Sequence, residues 1–250
     1  MCISARASIN AFLVNLVSAI SLVYFGNENL KTLNLIIAIF SIFTSFMQLV
    51  DLGVWLDLDC KNGLNKMASL LGPTLLYLQP IMIFVLTYII FNYTNHGIKY
   101  RNNNLVNTES NNPIYENLSL SSNKFNLIKI VNIIGSIILF ILVTKHYINT
   151  KNNVCSELND GFINWKWVQK DKKYSSLFGI IYMFLVLTNF YLIDPESLYI
   201  KIALFVYFSL YVVSFIIGNE YKGEVWCLIS NCVPLVLLLI QKLFKSQLKR

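Results

Sequence analysis

The residue in this chain best equipped to do chemistry is a carboxylate set inside an apolar run. Asp51 closes a series with Ser41, Thr44, Gln48 and, beyond it, Trp55, spaced +3, +4, +3 and +4. That spacing puts all five on one face of a helix. A carboxylate in hydrocarbon costs several kcal/mol unless it is paired, hydrated or protonated, so Asp51 is a candidate to bind and release a proton or to meet a cation. A second role is open to it. The run ends nearby, with Asp57 and Asp59 just beyond, and there a carboxylate can cap or hydrogen-bond a neighbouring helix.

Two further amides stand beside prolines. Gln79 precedes Pro80 in a run that also contains Gly72 and Pro73, and Asn231 precedes Pro234 by three residues. Each proline removes a helical N–H donor and crowds the carbonyl four residues back, those of Ser69, Leu76 and Ser230. Kinks are expected at Pro73, Pro80 and Pro234. Freed carbonyls in a membrane must be met by a neighbouring helix or a water-filled cavity, so the kinks serve either substrate binding or ordinary helix packing. Asn15 with Ser18, and Asn132 with Gly135 and Ser136, have the spacing of interhelical contacts, with hydrogen bonding to a partner helix expected.

These residues need long helices to position them, and the composition supplies them. Of the 250 residues, 56% are hydrophobic and 13% charged, and the apolar excess extends along the whole length. A bilayer core about 30 Å thick takes about 20 helical residues to cross. Seven runs are read as spans, over residues 8–25, 33–56, 68–91, 127–143, 177–193, 198–217 and 225–244. They do not alternate as barrel strands would. The fold expected is all-α, a single polytopic transmembrane bundle over residues 1–250. Three close runs, one isolated run and three close runs suggest a three-plus-one-plus-three arrangement, the layout of transporters built from parallel repeats.

The isolated fourth run lies between two polar loops, 92–126 and 148–174. The first is rich in Asn and Ser. The second contains Phe162, Trp165 and Trp167, expected as an interfacial aromatic anchor.

With seven spans the termini face opposite sides. On the side of Met1, called side A, lie ten of the twenty Lys and Arg, so the basic residues do not orient the chain. The tail Lys242, Lys245, Lys249 and Arg250 suits an anionic cytoplasmic leaflet, and Cys2, Cys60, Cys155 and Cys227 fall on side A. Cys60 and Cys155 could join in a disulfide if side A is oxidising, or all could be isolated thiols. The glycosylation sequons at Asn92 and Asn117 argue the other way. The orientation expected is N-terminus outside and C-terminus cytoplasmic.

Two histidines, His96 and His146, do not suffice for a His-based intramembrane metal site. No span holds a mid-helix lysine for a retinal Schiff base, and no nucleotide-binding loop, nucleophile elbow or zinc-protease motif occurs. Neither enzyme activity, a cofactor, a metal nor a nucleic-acid partner is expected; the expected partners are the lipid bilayer and, through the basic tail, anionic lipid.

The opening Met1-Cys2-Ile3-Ser4, the series Gln48, Asp51, Trp55, Asp57 and Cys60, then Asn65, Gly72-Pro73, Gln79-Pro80, Trp226-Cys227 and Pro234 give a composite pattern. In these it resembles a family of uncharacterised seven-helix membrane proteins of giant DNA viruses and some protists. The resemblance implies the seven-helix topology and a viral source, and brings no activity. It also implies a cluster near the side A mouth, made of Cys2, Trp55, Asp57, Cys60, Trp226 and Cys227. Two functions are therefore carried forward: transport of a small solute, proton or ion, and a non-catalytic structural or interaction role in a viral or host membrane.

Overall fold

The computed structural model describes residues 4–93, 122–149, 155–159, 162–165, 172–193, 197–218 and 229–244. Among them are seven α-helices: α1 Ala5–Phe25, α2 Lys31–Trp55, α3 Leu64–Tyr93, α4 Ser122–Asn149, α5 Lys172–Ile193, α6 Leu198–Gly218 and α7 Val233–Leu243. A 3-10 turn, Glu28–Leu30, leads into α2. The segments Ala5–Phe25, Glu28–Trp55 and Leu64–Ile89 are each long and apolar enough to cross a membrane. The protein is predominantly helical, as its composition requires.

Local signals set the helix ends. Ser4 Oγ accepts the N–H of Ala7 at 3.2 Å and caps α1. Asn27 Oδ1 accepts the N–H of Asn29 at 3.1 Å and starts the turn into α2. Helix α3 continues without interruption through both Pro73 and Pro80. The seventh run behaves otherwise. A helical turn at residues 229–230 gives way to a turn at 231–232, and the chain restarts as α7. Pro234 therefore stands in the first turn of α7, just after the break at 231–232, where its missing N–H costs nothing.

The helices pack with apolar side chains outward and polar ones inward. Val17, Ile130, Ile137, Ile180, Phe205 and Ile216 are exposed, whereas Asn15, Asn34, Gln48, Asn132, Asn189 and Gln241 are buried. That is the arrangement helices adopt in lipid, where only an interior partner can satisfy a polar group. The main apolar core joins Leu22 of α1, Ile36, Ile37 and Phe40 of α2, Ile83 of α3, Val186 and Phe190 of α5, Tyr207 of α6 and Leu237 of α7.

Amide pairs clamp this core in two places. Between α4 and α5, Asn132 Nδ2 donates to Asn189 Oδ1 at 3.0 Å, and Asn189 Nδ2 donates back at 2.6 Å. Gly135 permits the approach, because a Cβ there would lie 2.6 Å from the Leu185 side chain. At the far end of the bundle Gln241 Nε2 donates to Asn34 Oδ1 at 2.7 Å, the Tyr199 hydroxyl donates to the same oxygen at 3.0 Å, and Gln241 Oε1 accepts the N–H of Asn27 at 2.7 Å. Four elements meet at these two amides. Gly26 is required here by space, since a Cβ would sit 2.4 Å from Asn34 Nδ2 and 2.9 Å from Gln241 Oε1.

Along the chain the described helices follow as three, one and three, and the packing does not repeat between the two triplets. Helix α2 lies between α1 and α3, whereas α5 rests on α3 and α4, and α7 rests on α1. The loop expected over 148–174 carries structure of its own. Strands β1 Glu157–Asn159 and β2 Phe162–Asn164 form an antiparallel hairpin, with Leu158 opposite Ile163. It is the one departure from all-α structure among the described residues.

Asn132→Leu removes the N–H donor of Asn189 Oδ1 and leaves Asn189 Nδ2 only the Leu185 carbonyl, and is expected to cost about 1–2 kcal/mol. The measurement is thermal unfolding in detergent, in which Asn132→Leu should melt several degrees lower. An unchanged midpoint would remove the pair from the interactions that hold α4.

Candidate functional site

The residues of the α2 stripe reach the interior together. Ser41, Gln48 and Asp51 are buried, Asp51 with 2% of its surface exposed, and Thr44 is half-buried. Asn15 of α1 crosses to this face: its Nδ2 donates to the Ser41 carbonyl at 2.8 Å and to Asn231 Oδ1 at 2.8 Å. Two acceptors fix that amide's orientation, since a flip would set oxygen against oxygen. Among the described residues the buried Asn15 Oδ1 has no hydrogen-bond partner. Asn231 thus joins the stripe from the break that precedes α7.

Antiparallel pairing extends the polar surface toward side A. Phe12 stacks on Phe46 with ring centroids 6.2 Å apart, and continuing that pairing brings buried Ser8 to the level of Gln48 and Asp51. The result is a column of Ser8 and Asn15 from α1, Ser41, Gln48 and Asp51 from α2, and Asn231. From Ser41 to Asp51 it rises about 15 Å, half the thickness of a bilayer core.

Below Ser41 the column stops at aromatic rings. The Ser41 hydroxyl meets the Tyr207 hydroxyl at 3.4 Å. Phe40 lies edge-on to Phe190 at 5.3 Å, and Phe190 stacks with Tyr207 at 5.4 Å. The Asn34–Gln241 clamp seals the layer beneath.

Gln79 belongs to a different interface. Gly53 lies opposite Ala68, and Val50 opposite Gly72, so the antiparallel pairing puts Gln48 level with Pro73 and Gln79 level with Phe43. Gln79 therefore sits about 8 Å farther along the axis than Gln48. Its Oε1 accepts the Tyr182 hydroxyl of α5 at 2.5 Å, which ties α3 to α5. Gln48, Asp51 and Asn231 share the column; Gln79 does not.

At side A the turn after α2 is built around Asp57. Its Oδ1 accepts the N–H groups of Lys61 and Asn62, each at 2.9 Å, and its Oδ2 accepts that of Asn65 at 3.2 Å. These donors, that of Asn62 foremost, hold the carboxyl below the usual carboxylate range against the opposing effect of burial. They also hold Cys60 in the left-handed region, at φ 59°, which a non-glycine residue keeps only when its surroundings dictate it.

Cys60 forms a disulfide with Cys155 across 95 residues of sequence, with Cα atoms 6.2 Å apart. Beside it Asn65 and the backbone of Ser156 exchange hydrogen bonds of 2.8 and 2.9 Å, while the Ser69 and Ser156 hydroxyls meet at 2.7 Å. Of the two open readings of this cysteine pair, the disulfide is the one realised. Trp165 is not an interfacial anchor as expected. It is buried with Ile163 against Val50, Val54 and Ala68, its ring 3.3 Å from where a Gly72 Cβ would be. Trp55 flanks that cluster.

Cys2, Trp167, Trp226 and Cys227 lie outside the described residues, as does the basic tail beyond residue 244. Among the described residues no group of His, Cys, Asp and Glu is placed to hold a metal ion. Sequence reasoning passed over Asn34, Asn189, Gln241, Tyr182 and Tyr207. A signal for three of them existed, because a lone amide inside an apolar run demands a partner on another helix.

Protonation of Asp57 should loosen the turn. A carboxyl held low in the folded state stabilises that state above its unfolded pKa and loses the contribution as pH falls through the folded value. The midpoint of thermal unfolding in detergent is thus expected to stay level from pH 7 to about 4 on this account and to fall below it. Asp57→Asn should melt lower at pH 7 and lose that acid dependence, and an acid limb of equal depth in both proteins would assign it to other groups. No protein-family model, curated protein or solved structure matches the chain.

Proposed function

We propose that the chain is a seven-span membrane protein that moves a proton, an ion or a small solute, with Asp51 as the ionisable group of its path. One observation carries this reading. A column of buried polar side chains from α1, α2 and the segment before α7 descends from side A and ends against an aromatic layer about half a bilayer deep. Packing alone does not call for a carboxylate in it, and a chain that only needed to assemble could place amides there, as it does between α4 and α5.

Seven spans are supported by the way α4 to α7 run beside the three long apolar helices and turn apolar side chains outward. The disulfide supports an orientation with side A in an oxidising compartment and the C-terminus in the cytoplasm, where Lys242 and the basic residues after it would meet anionic lipid. Gln48 and Asn231 line the path with Asp51, and the turn at 231–232 supplies a joint in the wall. Gln79 holds α3 to α5.

A second reading, a structural or interaction protein of a viral or host membrane, draws on the reciprocal amide pairs and the side A hairpin, which make a rigid scaffold with an ordered outer surface.

Flux in proteoliposomes decides between them. With a proton gradient imposed, Asp51→Asn is expected to lower proton or coupled solute flux by about tenfold or more and to flatten its pH dependence. Wild-type flux with unchanged pH dependence in Asp51→Asn would remove the carboxylate from the mechanism. A folded wild-type protein that passes neither protons, alkali cations nor small solutes would leave the scaffold reading.

A further inference from the structure

The two ends of the Asn15 amide are in opposite situations. Its Nδ2 spends both N–H groups, one on the Ser41 carbonyl and one on Asn231 Oδ1, and those bonds fix which way the side chain faces. Its Oδ1 has no hydrogen-bond partner among the described residues, although Asn15 is fully buried. An amide oxygen left so in an apolar interior is costly. A buried polar atom that the protein does not satisfy marks a place for a molecule that does.

Its surroundings decide what kind of molecule. A helix carbonyl points toward the helix C-terminus, so the amide resting on Ser41 stands beside the next turn of α2, which carries Thr44 and Ser45. Neither hydroxyl has a proton left for Asn15. Thr44 Oγ1 donates to the Ser41 carbonyl at 2.8 Å, and the buried Ser45 Oγ donates to the Ile42 carbonyl at 2.7 Å. Gln48, one turn farther along α2, has partners of its own, as has Asn231. At this level α1 and α2 therefore offer lone pairs: those of Asn15 Oδ1 and of the two hydroxyl oxygens. An anion would meet oxygen against oxygen. A stripped metal cation takes about six oxygens, more than one amide and two hydroxyls provide. A small donor of N–H or O–H groups fits.

We infer that Asn15 Oδ1 anchors a binding site for such a donor, an ammonium ion or a water molecule, between α1 and α2 at the inner end of the polar column. Ser45 Oγ and Thr44 Oγ1 are the acceptors for its other protons. The site stands on hydrogen bonding alone, while passage of its occupant to or from Asp51 rests on the reading of the column as a path.

Thermal unfolding of the full chain in detergent tests the site without any assumption about transport, with ammonium, sodium and potassium chloride compared over one concentration series. For an ammonium site the midpoint should rise by several degrees in ammonium alone, at about one hundred times its dissociation constant, and Asn15→Leu should abolish the rise. If Asn15→Leu does not fold, Ser45→Ala with Thr44→Val takes its place, since both hydroxyls bond only within α2. A water site gives equal midpoints in the three salts and a peak about 3 Å from Oδ1 in an experimental density map. Equal midpoints with apolar side chains closed over Oδ1 would overturn the inference. So would a rise as large in sodium or potassium, or one that survives these substitutions. Flux is read separately, in proteins that keep Asp51. A site shown by either measurement with no wild-type flux retains the site and removes the transport reading, whereas wild-type flux with neither the ammonium rise nor the peak removes the site and leaves Asp51 its path.

Discussion

Everything in this structure depends on the partners that a polar group finds once it is buried between apolar helices. A polar group there must find its partner on the protein, and that requirement governs which helices touch and at what rotation. Asn132 and Asn189 answer each other, as do Asn34 and Gln241, and Asn15 spends its two N–H donors on α2 and on the break before α7. Such bonds are worth only about a kcal/mol each, because the unfolded helices in a membrane also find partners. Their weight lies in what their loss leaves behind, an unsatisfied group in an apolar layer.

Seen this way the bundle has layers of different character. The clamp of Asn34, Gln241 and Tyr199 closes one end, the rings of Phe40, Phe190 and Tyr207 fill the middle, and the polar column rises from them to side A. On side A the hairpin is held against α2 and α3 by apolar burial and a covalent bond.

Glycine makes the closest approaches. Gly26 and Gly135 sit where a methyl group would collide with an amide or a leucine, and Gly72 sits under a tryptophan ring. Each marks a contact between elements far apart in sequence. None of the three is needed for its backbone conformation.

The helices and the face on which Asp51 lies were legible in the sequence, because both follow from local periodicity and from the length of apolar runs. The disulfide was legible only as one of two alternatives, and the interhelical use of Asn15 and Asn132 without its partners. What the tertiary structure decided was partnership. Nothing local says that Gln79 takes Tyr182 rather than joining Gln48, since that depends on the axial register of α2 against α3 and on which helix comes third. Trp165 looked like an anchor for the membrane surface because an aromatic beside lysines usually is one, and only the hairpin's docking turned it inward. Pro234 marked a break in the seventh run, and only the packing showed that the turn at 231–232 brings Asn231 to Asn15. Periodicity belongs to a single helix and can be read from its residues, whereas a hydrogen bond across helices belongs to two and exists only once they are packed.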